Sequence, residues 1–299
     1  MIKIREILRF LDENREGFSF KGSEEDEIIG FSSLPCYCKD TVTWCKKAES
    51  ISQLGKSDDL YRLIIGPYGI NDSGKCLNII AVENPKKVFF MILENFFNHD
   101  TELTDIGKGT YISENVKIGK GVKIGYNCVI DGKVEIGDNT VIYNNVNIIN
   151  KVDIGKNCVI HSGVNIGHDD YSYTEDEEHN KFMIKHYGGV KIEDDVFIGA
   201  NSVINRGTID STTIGRGSKI DAFCHVSHNV IMGEKNALIS GTRLYGSVKT
   251  GENAYIASAM VKNQLEIGEN AVVGMGSVVL NDVADDAVVA GVPAKVIKK

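Results

Sequence analysis

The sequence predicts a mainly β protein in which a parallel β-helix of six-residue repeats follows a small N-terminal α/β domain. The first observation is a set of isoleucines that recur at every sixth residue from Ile106 to Ile166. The second is a small or β-branched residue two positions before most of them, and the third is a glycine that often follows, as in Ile118-Gly119. A period of six fits neither an α-helix nor a flat sheet, and it is typical of the hexapeptide β-helix.

Each six-residue repeat is expected to form a short strand and a corner, so that three repeats close one triangular coil of about 18 residues. The isoleucines and the residues two places before them should point inward. Breaks in the period predict an extruded loop near 168–189 and smaller slips at 204–214 and 256–267. Between and beyond these breaks the inward position is taken by Ile192, Ile198, Ile204, Ile214, Ile220, Val226, Met232, Leu238, Leu244, Ile267, Val273 and Val279.

The predicted domains are residues 1–100, an α/β domain, and residues 101–299, the β-helix. Apolar spacing predicts a helix over residues 2–13, and Asn84 followed by Pro85 predicts the start of a second helix, because asparagine caps helices well and proline suits the first helical position. Short apolar runs at 27–31, 60–65 and 77–82 predict strands. The domain is expected to cap one end of the β-helix and to take part in binding a nucleotide sugar.

Composition narrows the functional classes. The 299 residues are 42% hydrophobic and 25% charged, with a net charge of −8, which argues against general binding of nucleic acid. The N-terminus scatters charges among apolar residues, so no signal peptide or membrane span is predicted and a cytoplasmic protein is expected. The seven cysteines include two at inward positions, Cys128 and Cys158, and a loose group, Cys36, Cys38 and Cys45, that lacks the partners of a zinc site. No metal site is predicted.

The main catalytic candidate is His228, which follows the inward Val226 by two residues and therefore lies at a corner, outside the core. In the 18-residue register Asp210 lies one coil before it and Gly246 one coil after it. A carboxylate that orients an imidazole, the imidazole as base and a backbone N–H for an oxyanion are the parts of an acyl-transfer site. Asp210 is equally well explained by a hydrogen bond within its turn.

Several segments resemble the UDP-3-O-acylglucosamine N-acyltransferase family of lipid A synthesis. They are residues 204–215, Ile220-Asp221, His228-Asn229-Val230, the stretch from Ser162 through Gly167-His168-Asp169-Asp170-Tyr171-Ser172-Tyr173, and the Asn84-Pro85 helix start. The resemblance implies a left-handed β-helix that assembles as a homotrimer with active sites between subunits.

The resemblance also assigns roles to residues. It implies that His228 is the general base and that Gly246 is the oxyanion donor. Its acceptor is the amine of a nucleotide-linked amino sugar, its acyl donor is a thioester on acyl carrier protein or coenzyme A, and no cofactor is bound permanently. The residues that it implies in substrate binding are Asn229, His225, Asp169, Tyr173, His186 and Trp44.

The sequence departs from the family pattern at several positions. Gln264 stands where the family has a second functional histidine, and Asp170 and Ser172 stand where glycines flank an aromatic residue of the loop. The expected partners of Trp44 do not match at Lys47 and Ser50. The end of the chain, residues 291–299, resembles that of coenzyme A-dependent sugar acetyltransferases.

Three other readings follow. The chain end favours a short-chain acyl- or acetyl-CoA-dependent N- or O-acyltransferase of surface polysaccharide synthesis. His225 and His228 are spaced to begin a zinc site like that of the carbonic anhydrases that use this fold, but no third histidine follows in the neighbouring coils. A non-catalytic scaffold is the third alternative.

Overall fold

The computed structural model describes residues 1–47, 60–70, 74–98 and 103–298. The chain divides into two compact units, Met1–Thr101 and Glu102–Lys299. No helix in the described part of the chain is long and apolar enough to cross a membrane.

The N-terminal unit is built on a five-stranded sheet. Its strands, in spatial order, are Phe18–Lys21, Ile79–Val82, Leu63–Pro67, Thr41–Trp44 and Gly30–Phe31. The first pair is antiparallel and the remaining pairs are parallel. A separate antiparallel pair joins Ile2–Lys3 and Glu27–Ile28, and a 3₁₀ turn spans Leu34–Cys36.

Both predicted helices of this unit are present. Helix α1 spans Ile4–Glu13 and buries Ile4, Ile7, Leu8 and Leu11, the apolar stripe at helical spacing. Helix α2 spans Pro85–Phe97, and the side chain of Asn84 accepts a hydrogen bond from the backbone N–H of Lys87 at 3.1 Å, as an N-cap should.

The C-terminal unit is a parallel β-helix with three faces. Two long strands, Val129–Ile136 and Asn147–Ile154, run round one corner and belong to two faces. The charged face, named for its outward side chains, also contains Lys117–Ile118, Val190–Ile192, Thr212–Ile214, Ile231–Met232, Lys249–Thr250 and Glu266–Ile267.

The other two faces are named in the same way. The apolar face contains Lys123–Ile124, Val141–Ile142, Val159–Ile160, Phe197–Ile198, Lys219–Ile220, Ala237–Ile239, Tyr255–Ala257, Val272–Val273, Val288–Ala290 and, antiparallel at its end, Lys295–Lys298. The His225 face contains Tyr111–Ile112, Asn165–Ile166, Val203–Ile204, His225–Val226, Arg243–Leu244, Met260–Val261 and Val278–Val279, besides the two long strands.

Strand pairing reproduces the predicted register. Ile130 pairs with Ile148 and Ile142 with Ile160, each 18 residues apart, so one coil is three repeats. Inward side chains from Ile124 onward are buried, apart from Leu265, which is partly buried. Ile106 and Ile118 are exceptions, at 53% and 40% exposed, because they lie in the first coil and have a neighbouring coil on one side only.

The three predicted breaks are also present. Pairing passes directly from Ile154 to Ile192, and the residues between Ile166 and Val190 leave the coil as a loop whose antiparallel hairpin joins Tyr173–Glu175 to Lys181–Met183. Ile204 pairs with Val226, 22 residues later, so four extra residues form a bulge near 207–211. Leu244 pairs with Val261, and the interval between them is one residue shorter than a full coil.

Shortening an inward isoleucine is expected to destabilise the β-helix strongly. Ile198→Ala removes a fully buried side chain and should lower the free energy of unfolding by about 2–5 kcal/mol. Ile231→Ala makes the same change on the outward side of a strand, at 49% exposed, and should cost less than about 1 kcal/mol. Urea unfolding of both variants measures the difference; equal losses would contradict the assignment of inward and outward positions.

Candidate active site

A cavity of about 310 Å³ opens at the corner between the His225 face and the charged face. His228 lies in the turn that joins strands His225–Val226 and Ile231–Met232, so its side chain points away from the core. The cavity is lined by Asp170, Tyr171, His225, His228, Gly246 and Gln264, among others. It therefore collects residues from the extruded loop and from three successive coils.

The imidazole of His228 lies directly against the backbone of Gly246. A Cβ placed on Gly246 would be 2.6 Å from both Cε1 and Nε2 of the ring, so only glycine leaves room for the imidazole. The backbone N–H of Gly246 has no hydrogen-bond partner among the residues that the structure describes. Gly246 is buried, and an unpaired backbone N–H beside an imidazole is free to donate a hydrogen bond to an oxyanion.

The tautomer of His228 follows from its neighbour Asn229. Nδ1 of His228 is 3.1 Å from Oδ1 of Asn229. That amide oxygen also accepts the backbone N–H of Thr208 at 3.1 Å, which fixes the orientation of the amide group. An amide oxygen only accepts, so Nδ1 carries the proton. Nε2, on the side of Gly246, is then the basic nitrogen.

The expectation that the Asp210 carboxylate orients this imidazole is wrong. Asp210 is exposed, and its side chain makes no hydrogen bond within the described part of the chain. It contributes its backbone carbonyl, which accepts from Nδ2 of Asn229 at 3.4 Å. The reason is the four-residue bulge after Ile204, which carries Asp210 outward and leaves Asn229 as the partner of His228.

The extruded loop is fastened to the bulge by an ion pair and by backbone hydrogen bonds. Asp169 accepts from Nε of Arg206 at 2.6 Å, and Arg206 is only 8% exposed. Burial raises the pKa of the Asp169 carboxyl, but the N–H of His186 and the Arg206 guanidinium outweigh it and the pKa is lowered. Near the end of the loop, the N–H of Tyr187 donates to the carbonyl of Thr208 at 2.8 Å.

The ring of His186 is fully buried and packs edge to face on the ring of His228, with centroids 5.5 Å apart. Its Nδ1 donates to the carbonyl of Ile184 at 3.0 Å, which leaves Nε2 as an acceptor. That Nε2 has no hydrogen-bond partner in the described structure. His186 therefore supports the position of the His228 ring.

The sequence reading did not assign a role to Asp170, which the structure places inside the site. Its carboxylate is 9% exposed and accepts hydrogen bonds from the Ser227 hydroxyl and from the backbone N–H groups of His228 and Tyr171. Burial raises the pKa of the Asp170 carboxyl, but these donors and the nearby His225 together outweigh that effect. The pKa is therefore lowered, and the carboxyl stays ionised. Such a contact spans 57–58 residues of sequence, and no local pattern signals it.

His225 lies on the strand before the corner. Its Nε2 is 3.2 Å from Nδ2 of Asn205 and 3.8 Å from Oδ1 of Asp170. Burial lowers its pKa, Asp170 opposes that effect, and Arg243 and His228 add to it, so the pKa is below its usual value. Among the described residues no group of three or more His, Cys, Asp or Glu side chains is arranged to hold a metal ion.

The aromatic candidates differ in their surroundings. Tyr171, 69% exposed, lines the cavity. The ring of Tyr173 packs edge to face on the ring of Tyr171, with centroids 5.6 Å apart. Trp44 belongs to the N-terminal unit, where it is half-buried with its ring centroid 6.3 Å from that of Phe89. Ser50, where the family pattern expects a partner of this residue, lies outside the described residues.

Gln264 lines the cavity one coil beyond Gly246. Its φ of 64° is left-handed, and its N–H donates to the carbonyl of Gly246 at 2.9 Å.

A larger groove of about 550 Å³ runs along the charged face past Lys117, Glu135 and Arg216. It contains no histidine or cysteine, and its charges pair with one another, as in Lys117–Glu135 at 2.6 Å. The smaller cavity is therefore the candidate active site.

Comparison with known families matches the repeats. A family described as bacterial transferase hexapeptide (six repeats) matches residues 133–168. A second, the hexapeptide repeat of succinyl-transferase, matches residues 115–149, 189–222 and 265–281. These ranges follow the coils and omit the extruded loop.

Comparison with whole proteins extends the similarity. The UDP-3-O-acylglucosamine N-acyltransferase of Helicobacter hepaticus is 34% identical over 76% of this chain and 72% of its own length. The enzyme of the same name from Campylobacter lari is 34% identical over 84% of this chain and 80% of its own. The structure of UDP-N-acetylglucosamine O-acyltransferase from Moraxella catarrhalis superimposes with a TM-score of 0.60, at 25% identity, over 64% of this chain and 74% of that one. The predicted fold class, a left-handed parallel β-helix, is confirmed.

Proposed function

Because the chain belongs to the UDP-3-O-acylglucosamine N-acyltransferase family, we propose that it transfers an acyl group from a thioester to the amine of a nucleotide-linked amino sugar in lipid A synthesis. The observation that carries the proposal is the contact between His228 and Gly246. An imidazole with an unprotonated Nε2 lies against a peptide whose N–H is unpaired among the described residues. That pair supplies a base and an oxyanion donor in one cavity.

The reaction requires one bond to form and one to break. The amine nitrogen of the sugar attacks the thioester carbonyl, and Nε2 of His228 takes a proton from that nitrogen. The carbonyl oxygen becomes an oxyanion that accepts from the N–H of Gly246. When the C–S bond breaks, the imidazolium returns the proton to the thiolate, so the products are an amide and a free thiol. Asn229 accepts from Nδ1 before and after the proton transfer, so Nε2 is the nitrogen that takes up and returns the proton.

The remaining candidates are proposed to hold the acceptor near Nε2. His225, with a lowered pKa and a position on the cavity wall, is a neutral hydrogen-bonding group for the sugar. Tyr173 extends the aromatic wall that Tyr171 begins. Asp169 and His186 act indirectly, through the loop anchor and the packing on His228. Trp44 is proposed to stack on the nucleotide base, with the N-terminal domain as its binding module.

The acyl donor is proposed to be acyl carrier protein or coenzyme A carrying the thioester, with no permanently bound cofactor, in the cytoplasm. The second candidate function is a short-chain acyl- or acetyl-CoA-dependent sugar N- or O-acyltransferase of surface polysaccharide synthesis. It is favoured by the end of the chain, where residues 291–299 resemble coenzyme A-dependent sugar acetyltransferases and Lys295–Lys298 adds an antiparallel edge strand to the apolar face.

A homotrimer is proposed from the contrast between two faces of the β-helix. Outward positions of the charged face include Lys117, Glu135 and Asp153, which suit contact with water. In the parallel strands of the apolar face most outward side chains are apolar, and the only lysines are Lys123 and Lys219; two more, Lys295 and Lys298, lie on the antiparallel strand at its end. The apolar outward side chains include Val141, Val159, Phe197, Ala237, Tyr255, Val272 and Val288. Interface cores lack charge and exposed apolar stripes mark contacts, so this face supports packing between subunits.

Assays with matched donors and acceptors test the function. The purified chain is expected to acylate the amine of a UDP-linked amino sugar, and equal concentrations of acyl carrier protein and coenzyme A thioesters of short and long acyl chains identify the donor. Preference for a long chain on the carrier protein would exclude the second candidate function, and preference for acetyl-CoA would support it. Absence of transfer from every donor to UDP- and dTDP-linked amino sugars would overturn both.

A further inference from the structure

Asp170 is a buried carboxylate in the cavity to which the proposed chemistry gives no role. Buried carboxylates are rare and need partners, because removing a charge from water is costly. Asp170 has such partners on both oxygens. Oδ2 accepts from the hydroxyl of Ser227 and from the N–H of His228 at 2.9 Å, and Oδ1 accepts from the N–H of Tyr171 at 2.8 Å. The carboxylate therefore ties the extruded loop to the turn that carries His228.

Other corners of the β-helix show what is special about that turn. At the position two residues after an inward residue, the backbone N–H is often accepted by a side chain from the next coil. Lys120 donates to Asp138 at 2.9 Å, Tyr126 to Asn144 at 2.8 Å and Lys156 to Asp194 at 2.8 Å. His228 occupies the same position in its repeat, after Val226. The pattern predicts an acceptor from the side chain in the next coil.

At His228 that side chain is missing, because the next coil has Gly246 at the corresponding position. Gly246 must be glycine, since a Cβ would be 2.6 Å from the imidazole. The imidazole occupies the space that a side chain at position 246 would fill. The backbone N–H of His228 therefore has no acceptor from the next coil. Asp170 supplies the acceptor from the loop instead. The glycine and the aspartate are two parts of one arrangement.

We propose that Asp170 is a positioning residue that fixes the turn of His228 so that Nε2 faces the reacting groups. This inference rests on the proposed function of His228, but the hydrogen bond on which it depends is independent of activity. The charge of the carboxylate makes this bond stronger than one to a neutral acceptor. Asp170 is not itself required to touch the substrate. It acts by restricting the conformations of the turn and so holding the imidazole in place. Catalytic rates are sensitive to small displacements of a catalytic group.

The test compares Asp170→Ala and Asp170→Asn with a control in the same loop. Asp176 also accepts backbone N–H groups, those of Glu178 and Asn180 at 2.9 Å, but it lies at the exposed hairpin tip. Asp176→Ala and Asp176→Asn repeat both substitutions away from the cavity. Steady-state kinetics should show kcat reduced roughly 10²-fold in Asp170→Ala, less in Asp170→Asn, with KM for the acceptor little changed. The Asp176 variants should match the wild type.

A spectroscopic measurement keeps the inference separate from activity. With ¹⁵N-labelled histidine the chain has seven labelled amides, and His228→Gln identifies the signal of His228. In the wild type this amide proton should be shifted downfield by its bond to a carboxylate, and it should move upfield in both Asp170 variants. An unchanged His228 signal in the folded Asp170→Ala protein, or an unchanged kcat in an active one, would overturn the inference. An inactive wild type would instead overturn the proposed function, while the amide signal still decides the role of Asp170.

Discussion

Replacing His228 with alanine is expected to abolish acyl transfer and to leave the β-helix folded. General base catalysis contributes typically 10²–10⁴-fold to a rate, and we expect a loss of kcat in this range. The side chain lies outside the core at a corner turn, so the loss of stability should be small: its bond with Asn229 contributes about 1 kcal/mol, and its packing on His186 adds to that. The measurements are acyl transfer under saturating donor and thermal unfolding of the same preparations.

Two further variants make this result specific to the base. His228→Gln keeps a polar side chain of similar reach but cannot take the proton, so it should be as inactive as the alanine variant. His179→Ala removes an exposed histidine at the loop tip, whose side chain is 84% accessible and pairs with Glu175, and it should retain full activity. Retention of a tenth or more of the wild-type rate in His228→Ala would remove this residue from the proton transfer.

The repeat could be read from sequence because its signal is periodic and local. A buried position that recurs every six residues, as at Ile142, Ile148 and Ile154, reports the same geometry many times, so single exceptions do not hide it. The corner position of His228 and its neighbour Gly246 follow from that register by counting. Both lie in an uninterrupted run of repeats, where 18 residues are one coil.

The orienting partner of His228 was predicted wrongly because counting fails where the chain leaves the coil. Asp210 lies in the bulge after Ile204, and the period gives the number of extra residues there but not the path they take. The structure turns the carboxylate outward and uses the amide of Asn229. Asp170 went unassigned for a related reason: its contact with His228 depends on how a long loop folds back on the coil.

In the N-terminal domain, too, the sequence predicted only part of the structure. The strands Phe18–Lys21 and Thr41–Trp44 were not predicted, although they lie in the central sheet. Each mixes polar with apolar side chains over only four residues, whereas the predicted strand Ile79–Val82, of the same length, is a continuous apolar run. Helix α2 was predicted correctly because Asn84 and Pro85 mark its start by their own chemistry. Local signals of this kind survive without knowledge of tertiary contacts.

Adding one methyl group at Gly246 is expected to inactivate the enzyme through the position of the imidazole alone. Alanine retains the backbone N–H, and φ of Gly246 lies outside the left-handed region, so neither the oxyanion donor nor the backbone is lost. The new Cβ would be 2.6 Å from Cε1 and Nε2 of His228, closer than real contacts allow. The ring must rotate away from Asn229, and we expect kcat to fall roughly 10²-fold or more and stability to fall by about 1–3 kcal/mol.

A double-mutant cycle separates this clash from a general effect on the coil. In the His228→Ala background the methyl group meets no ring, so Gly246→Ala should cost much less free energy of unfolding there than in the wild type. Gly274→Ala is a matched control in the same β-helix, because its Cβ would meet a methyl group of Ala290 at 3.0 Å and no catalytic side chain. It should leave acyl transfer intact. Equal destabilisation by Gly246→Ala in both backgrounds would mean that the imidazole does not lie against this glycine, and the pairing of base and oxyanion donor would have to be abandoned.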